Sequence, residues 1–190
     1  METASYAVVF ALFAGTVRAL MLWRSAIGVE VVNVAVLGAL AEGRGRELRA
    51  MLRDSGSAPY LDVAADIGQS LLELRADGVT APDLAKRLKR QADLAIVAAI
   101  RRLKRHAWLD YLCLGAILVA GIEATVRSRA SHLDVLGPVA ATLLWLSNLH
   151  AARSIATRSY AGATALVDSL LASVGSVPSF ALEPERAPDS

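Results

Sequence analysis

Apolar runs too long for an ordinary core helix recur along this chain, and arginines border each of them. The fullest lies at 101–127, RRLKRHAWLDYLCLGAILVAGIEATVR, where Arg101, Arg102, Lys104 and Arg105 precede about twenty mostly apolar residues. At 1.5 Å per helical residue, roughly 20 residues cross the ~30 Å hydrocarbon core of a bilayer. A backbone in lipid has to satisfy its own hydrogen bonds, so the pattern predicts a transmembrane helix over residues 107–126. A second run, YAVVFALFAGTV, starts at Tyr6; Arg18 interrupts it, and ALMLW carries it on to Trp23. This predicts a first span over residues 4–22, within a unit 1–23. Arg18 is expected to snorkel its head to the interface, where Trp23 also prefers to sit. No turn signal separates Trp23 from Ala26, so the helix is expected to run on into AIGVEVVNVAVLGAL. Glu30 and Asn33 make that stretch an interfacial or partner-packed extension rather than a span. The third run, LDVLGPVAATLLWLSNLHAA, predicts a span over residues 133–152, with Pro138 tolerable in a bundled membrane helix.

Between the first two spans, the insertion 24–106 reads as soluble helices. A short helix over 46–54 places Leu48, Met51 and Leu52 on one side, with Gly56 placed to end it. Ser57 before Pro59 is a usual helix entry. In the helix that follows, Asp62, Asp66, Gln69 and Glu73 form one stripe; Ala64, Ile67, Gly68, Leu71 and Leu74 form the other. Gly78 ends it, and Thr80-Ala-Pro-Asp83 reads as a capping-box variant opening the next. Leu84, Leu88, Ala92, Ala95, Ala99 and Leu103 then recur at helical spacing opposite Lys86, Arg87, Lys89, Arg90 and Asp93. No breaker follows, so this helix is expected to continue unbroken into the span at 107–126. Residues 153–174 extend the third span as a cytoplasmic helix. The tail 175–190, rich in proline, serine and charge, is expected to be disordered.

Composition agrees with a membrane protein that has a large wet part. The hydrophobic share is 55% and the mean hydropathy +0.44, yet 20% of residues are charged. Aromatics at 5% and abundant Ala, Leu and Val favour helices over a β-barrel. The fold class is therefore all-α, with three transmembrane helices, two of them extended into a cytoplasmic helical bundle. Cations near the span ends concentrate in Arg18, Arg24, Arg101, Arg102, Lys104, Arg105 and Arg153, against Arg127 and Arg129 in the short outer connection. By the positive-inside rule the N-terminus lies outside and the C-terminus in the cytoplasm of a bacterial inner membrane. A formal net charge of +2 gives no case for nucleic acid, and the single cysteine, Cys113, allows no internal disulfide. No glycine-rich phosphate loop or nucleophile elbow is present, so neither a cofactor nor catalysis is expected. His106, His132 and His150 fall on opposite sides of the bilayer in this layout, so no metal site is expected.

The layout resembles the MotA/TolQ/ExbB proton-channel family. ALAEGRGRELRAMLRDSG, at 39–56, is similar to the family's short helical element after its first span. LAKRLKRQADLAIVAAIRRLKRHAWLDYLCLGAIL is similar to its charged helix leading into the second span, and GPVAATLLWLSNLHAARSIATRS to its third span and exit. The resemblance covers roughly residues 4–174. It implies a subunit of an energy-transducing complex driven by an ion gradient, a homo-oligomeric ring of five around single-span partner proteins, and a proton path between the second and third spans. It also implies that Thr142 lines that path. The family's second span places a threonine where this chain has Ala116, which keeps a non-conducting scaffold of the same architecture as the alternative.

Among the residues themselves, Glu123 near the outer end of the second span is an intramembrane acid, a functional candidate by default. It also stands four residues before Arg127, the spacing of a structural pair. Asp110, four residues after His106 and near Arg105, is either an interfacial salt bridge or cap, or a proton relay. Thr142 either lines the ion path or returns its hydroxyl to a carbonyl one turn back. Ser147 and Asn148 read as interhelical glue. Arg101, Arg102, Lys104 and Arg105 either bind anionic lipid headgroups or serve as topology signal and solvated helix face.

Overall fold

The computed structural model describes residues 2–26, 28–54, 58–126 and 132–176. Every regular element among them is helical: α1 (Glu2–Ser25), α2 (Val29–Ala41), a 3-10 turn (Gly45–Glu47), α3 (Leu48–Asp54), α4 (Pro59–Ala76), α5 (Ala81–Lys104), α6 (Trp108–Val126) and α7 (His132–Ser176).

Two helical assemblies share α7. In the first, α2, α3, α4, α5 and the C-terminal part of α7 close over a core of large side chains, among them Val36, Leu48, Tyr60, Ile67, Leu88, Leu166 and Leu170. The amphipathic stripes account for it. On α4, Ala64, Ile67, Gly68 and Leu71 are buried while Asp62 and Glu73 are exposed; on α5, Leu84, Leu88, Ala92, Ile96, Ala99 and Leu103 are buried. Gly78 ends α4 at a φ of +67°, a conformation that a side chain disfavours. Thr80 holds the N-cap of α5 in extended backbone, but its hydroxyl donates to Asp83 Oδ2 (3.5 Å) and accepts no bond from a helix amide. The expected helix stop at Gly56 and helix entry at Ser57 lie outside the described residues.

The second assembly packs α1 against α6 and the N-terminal part of α7. Its core is made of small side chains, Ala11, Cys113 and Ala141, with Leu12, Ala116, Ile117 and Trp145 partly buried around them. Most of its large apolar side chains point outward instead, among them Phe10, Phe13, Leu20 and Trp23 on α1, Leu118 and Ile122 on α6, Leu143 and Leu146 on α7, while Leu22 and Leu109 are buried. Two stretches, Ser5–Ala41 and Ala81–Glu123, are long and apolar enough to cross a membrane by length and composition. The expected third span, 133–152, forms the first part of α7 and is not one of the two.

Two helices expected to be continuous are interrupted. The chain leaves α1 at Ala26, whose amide bonds back to Trp23 O (3.1 Å), and Gly28 in extended conformation opens α2. Val32, Val36 and Ala39 thereby turn onto α4 and α7 instead of prolonging α1. Between α5 and α6, Arg105–Ala107 form a tightened turn: Arg105 N donates to Arg102 O (3.1 Å) and Ala107 N to Lys104 O (2.9 Å). In an uninterrupted α-helix Ala107 N would have bonded Leu103 O. That carbonyl accepts Nη2 of Arg18 instead, at 3.2 Å.

Candidate functional site

The buried charged or strongly polar side chains among the described residues are Arg18, Asp110 and Asn148, and all three lie in the small-core assembly. Arg18, two turns before the end of α1, turns inward rather than snorkelling. Its Nε lies 3.4 Å from Oδ2 of Asp110 on the first turn of α6, within ion-pairing range but without a hydrogen-bond partner of its own. Its Nη2 takes Leu103 O, so one guanidinium ties α1 both to α6 and to the turn before it. Asp110 is thus in a salt bridge, with a partner on another helix and not with Arg105 or His106. Burying such a pair is costly unless its geometry is good, and removing one member leaves an uncompensated charge.

Two further polar contacts bind the same helices. Nδ2 of Asn148 on α7 donates to Gly15 O on α1 (2.9 Å), and the Cys113 thiol donates to Ala11 O (3.4 Å). Asn148 therefore bridges helices, whereas Ser147 is exposed. Thr142 donates its hydroxyl to Pro138 O at 2.8 Å, one turn back on its own helix. Glu123 is half-buried near the C-terminal end of α6; Arg127, its expected partner, lies outside the described residues. Ala116 is partly buried beside the small core. The structure brings Asp110 together with Arg18, and places Thr142 and Glu123 on separate helices.

At the junction of the two assemblies, a cleft of about 290 Å³ is lined by residues including Arg18, Arg24, Asp62, Arg102 and His106. Arg102 is paired with Asp62 across it. Arg101, Arg102, Lys104 and Arg105 are all exposed, at the end of α5 and in the following turn. No group of three or more His, Cys, Asp or Glu among the described residues could hold a metal ion.

Within the large-core assembly, Tyr60 donates to Asn33 Oδ1 (2.6 Å), and Asn33 Nδ2 donates to Gly162 O (2.9 Å), linking α4, α2 and α7. Burial pushes the Tyr60 phenol up to about 12. Sequence reasoning missed this link, along with the role of Arg18. Asn33 in an otherwise apolar run was the available signal, since a buried amide needs partners.

Compared with family models, curated proteins and solved structures, the chain matches none.

Proposed function

We propose that the chain is a subunit of an inner-membrane complex driven by an ion gradient, similar in architecture to the MotA/TolQ/ExbB proton channels. In this reading α1, α6 and the first part of α7 cross the bilayer, with the N-terminus outside. The insertion 24–106 and the rest of α7 stand in the cytoplasm, and the subunits form a homo-oligomeric ring, five by the resemblance, around single-span partners. The observation that carries it is the buried Arg18–Asp110 pair inside a helix bundle most of whose large apolar side chains face outward. Large-out, small-in is the arrangement that lipid selects, because lipid gives no hydrophobic reason to bury a leucine and small residues let helices approach. An ionisable pair held in such a bundle is where a proton path would be sought. Asp110 is the leading carboxylate, with Glu123 and Thr142 as further path candidates.

A second reading, a non-conducting scaffold of the same architecture, is favoured by one specific contact. Thr142, the residue that the resemblance assigns to the path, gives its hydroxyl to Pro138 O, and Ala116 stands where the other path threonine would be. The test is proton flux into potential-clamped proteoliposomes carrying the full chain with whatever co-purifies in mild detergent, together with the mass of that particle. Conduction predicts a ring mass and a flux that Thr142→Ala abolishes while the ring survives. A ring without flux supports the scaffold, and flux unchanged in Thr142→Ala removes that residue from the path.

A further inference from the structure

The geometry points to a phosphate-binding site in the cleft between α1, α4 and α5, with the phosphate of an anionic phospholipid headgroup as its ligand. The cleft's charge is lopsided. Arg18, Arg24 and Arg102 face one carboxylate, Asp62, and His106 adds a further nitrogen donor. Arg18 is matched by Asp110 and Arg102 by Asp62, which leaves Arg24 exposed at the end of α1 with no ion pair among the described residues. The neighbouring Arg101, Lys104 and Arg105 bring cations without any described acidic partner. Arginine's planar fork suits a tetrahedral oxyanion, which it can engage through two parallel hydrogen bonds.

The level of the cleft identifies the source of the phosphate. Met21 lines it, and exposed aromatics flank it on both sides in sequence: Trp23 at the end of α1, Trp108 and Tyr111 at the start of α6. Tryptophan and tyrosine gather at headgroup depth, and above them the apolar faces of α1 and α6 can carry acyl chains. The inference rests on the membrane placement of α1 and α6, and is independent of ion conduction.

The test is titration of the delipidated full chain in mild detergent, read by native mass spectrometry, with phosphatidylglycerol, phosphatidylcholine or inorganic phosphate as the probe. Phosphatidylglycerol should bind in preference to phosphatidylcholine. Arg24→Gln should weaken it about five-fold, the effect of losing one cation near the surface. Asp62→Asn removes the cleft's carboxylate and should tighten binding several-fold, a gain that damaged folding does not produce. Lys86→Gln, in the second turn of α5 and about 24 Å along the helix from Arg102, should change nothing. Phosphatidylglycerol affinity equal in all four proteins would overturn the site. Inorganic phosphate binding with the same dependence on Arg24 and Asp62, without any lipid preference, would keep the phosphate site and overturn its lipid source. Absent proton flux with this dependence intact would sink the conduction reading and leave the site standing.

Discussion

Arg18 and Asp110 hold each other in place: each is buried among apolar neighbours, and each would be left as a bare charge if the other were truncated. Breaking a buried pair from one side costs about 3–5 kcal/mol, whereas replacing both members with apolar side chains is often neutral. Asp110→Asn should therefore destabilise the protein in detergent by about that amount, and Arg18→Met with Asp110→Leu should restore most of the loss, as a double-mutant cycle of denaturation midpoints would read. A double variant as weak as the single one would mean that the bond from Arg18 to Leu103 O, and not the pair, is what matters. Tyr60, in the large-core assembly, offers a second measurement at this scale. Its folded-state value is raised to about 12 from the usual 10.0, so its neutral form is favoured by folding. The stabilisation is complete below pH 10 and is lost between about pH 10 and pH 12, because the unfolded phenol ionises first. Absorbance near 295 nm should show an ionisation step near pH 12 that Tyr60→Phe removes. The sequence offered Asp110 only partners on its own helix, His106 and Arg105, because spacing along one helix is readable and pairing between helices is not. Arg18, judged by its nearness to a helix end, was expected to reach for water for the same reason.

At the scale of elements, periodicity carried the reading wherever one face of a helix is wet. The buried stripes of α4 and α5 were legible because charged residues mark the opposite faces, and Gly78 was legible because a left-handed φ suits glycine. The two interruptions were not legible. Neither 26–28 nor 105–107 contains proline; the second is stabilised by a guanidinium from another helix that takes the carbonyl which the turn releases. Continuity along 132–176 was foreseen, and α7 is one helix of 45 residues, long enough at 1.5 Å per residue to reach about 67 Å. Its seat in the large-core assembly depends on Gly162, where a Cβ would clash with Val29 Cγ1 and stand 2.9 Å from the Tyr60 hydroxyl oxygen. Gly162→Ala should force α2 and α4 apart from α7 and cost about 1–3 kcal/mol, the usual range for overpacking. Thermal unfolding would measure it, and Val29→Ala in the same chain should recover part of the loss by clearing the nearer clash. No recovery would place the strain on the Tyr60 hydroxyl instead.

For the whole molecule, the decisive contrast is between two cores built by opposite rules on a shared helix. One end buries many large side chains, though Val31, Val34, Leu94 and Val97 stay exposed on it; the other has a core of alanines and a cysteine and shows most of its phenylalanine, leucine and isoleucine, with Leu22 and Leu109 buried. In the proposed membrane reading, the boundary between them lies at the level of Arg24, Arg102 and the exposed Trp23 and Trp108. The apolar run at 133–152 pointed to a third crossing, but the run alone does not say how the first part of α7 packs on α1 and α6. That packing shows only in three dimensions, where Asn148 spends its amide on Gly15 O. Three crossings with the N-terminus outside predict opposite exposure for two introduced thiols. In a Cys113→Ala background, Glu73→Cys on the exposed face of α4 should react with a membrane-impermeant maleimide only in inside-out vesicles, and Ser131→Cys, in the segment joining α6 and α7, only in right-side-out ones. Labelling of both from one side would leave an even number of crossings between them and overturn the three-span arrangement. Recovery of the chain in the soluble fraction without detergent would mean that the outward apolar face is covered by protein, not lipid.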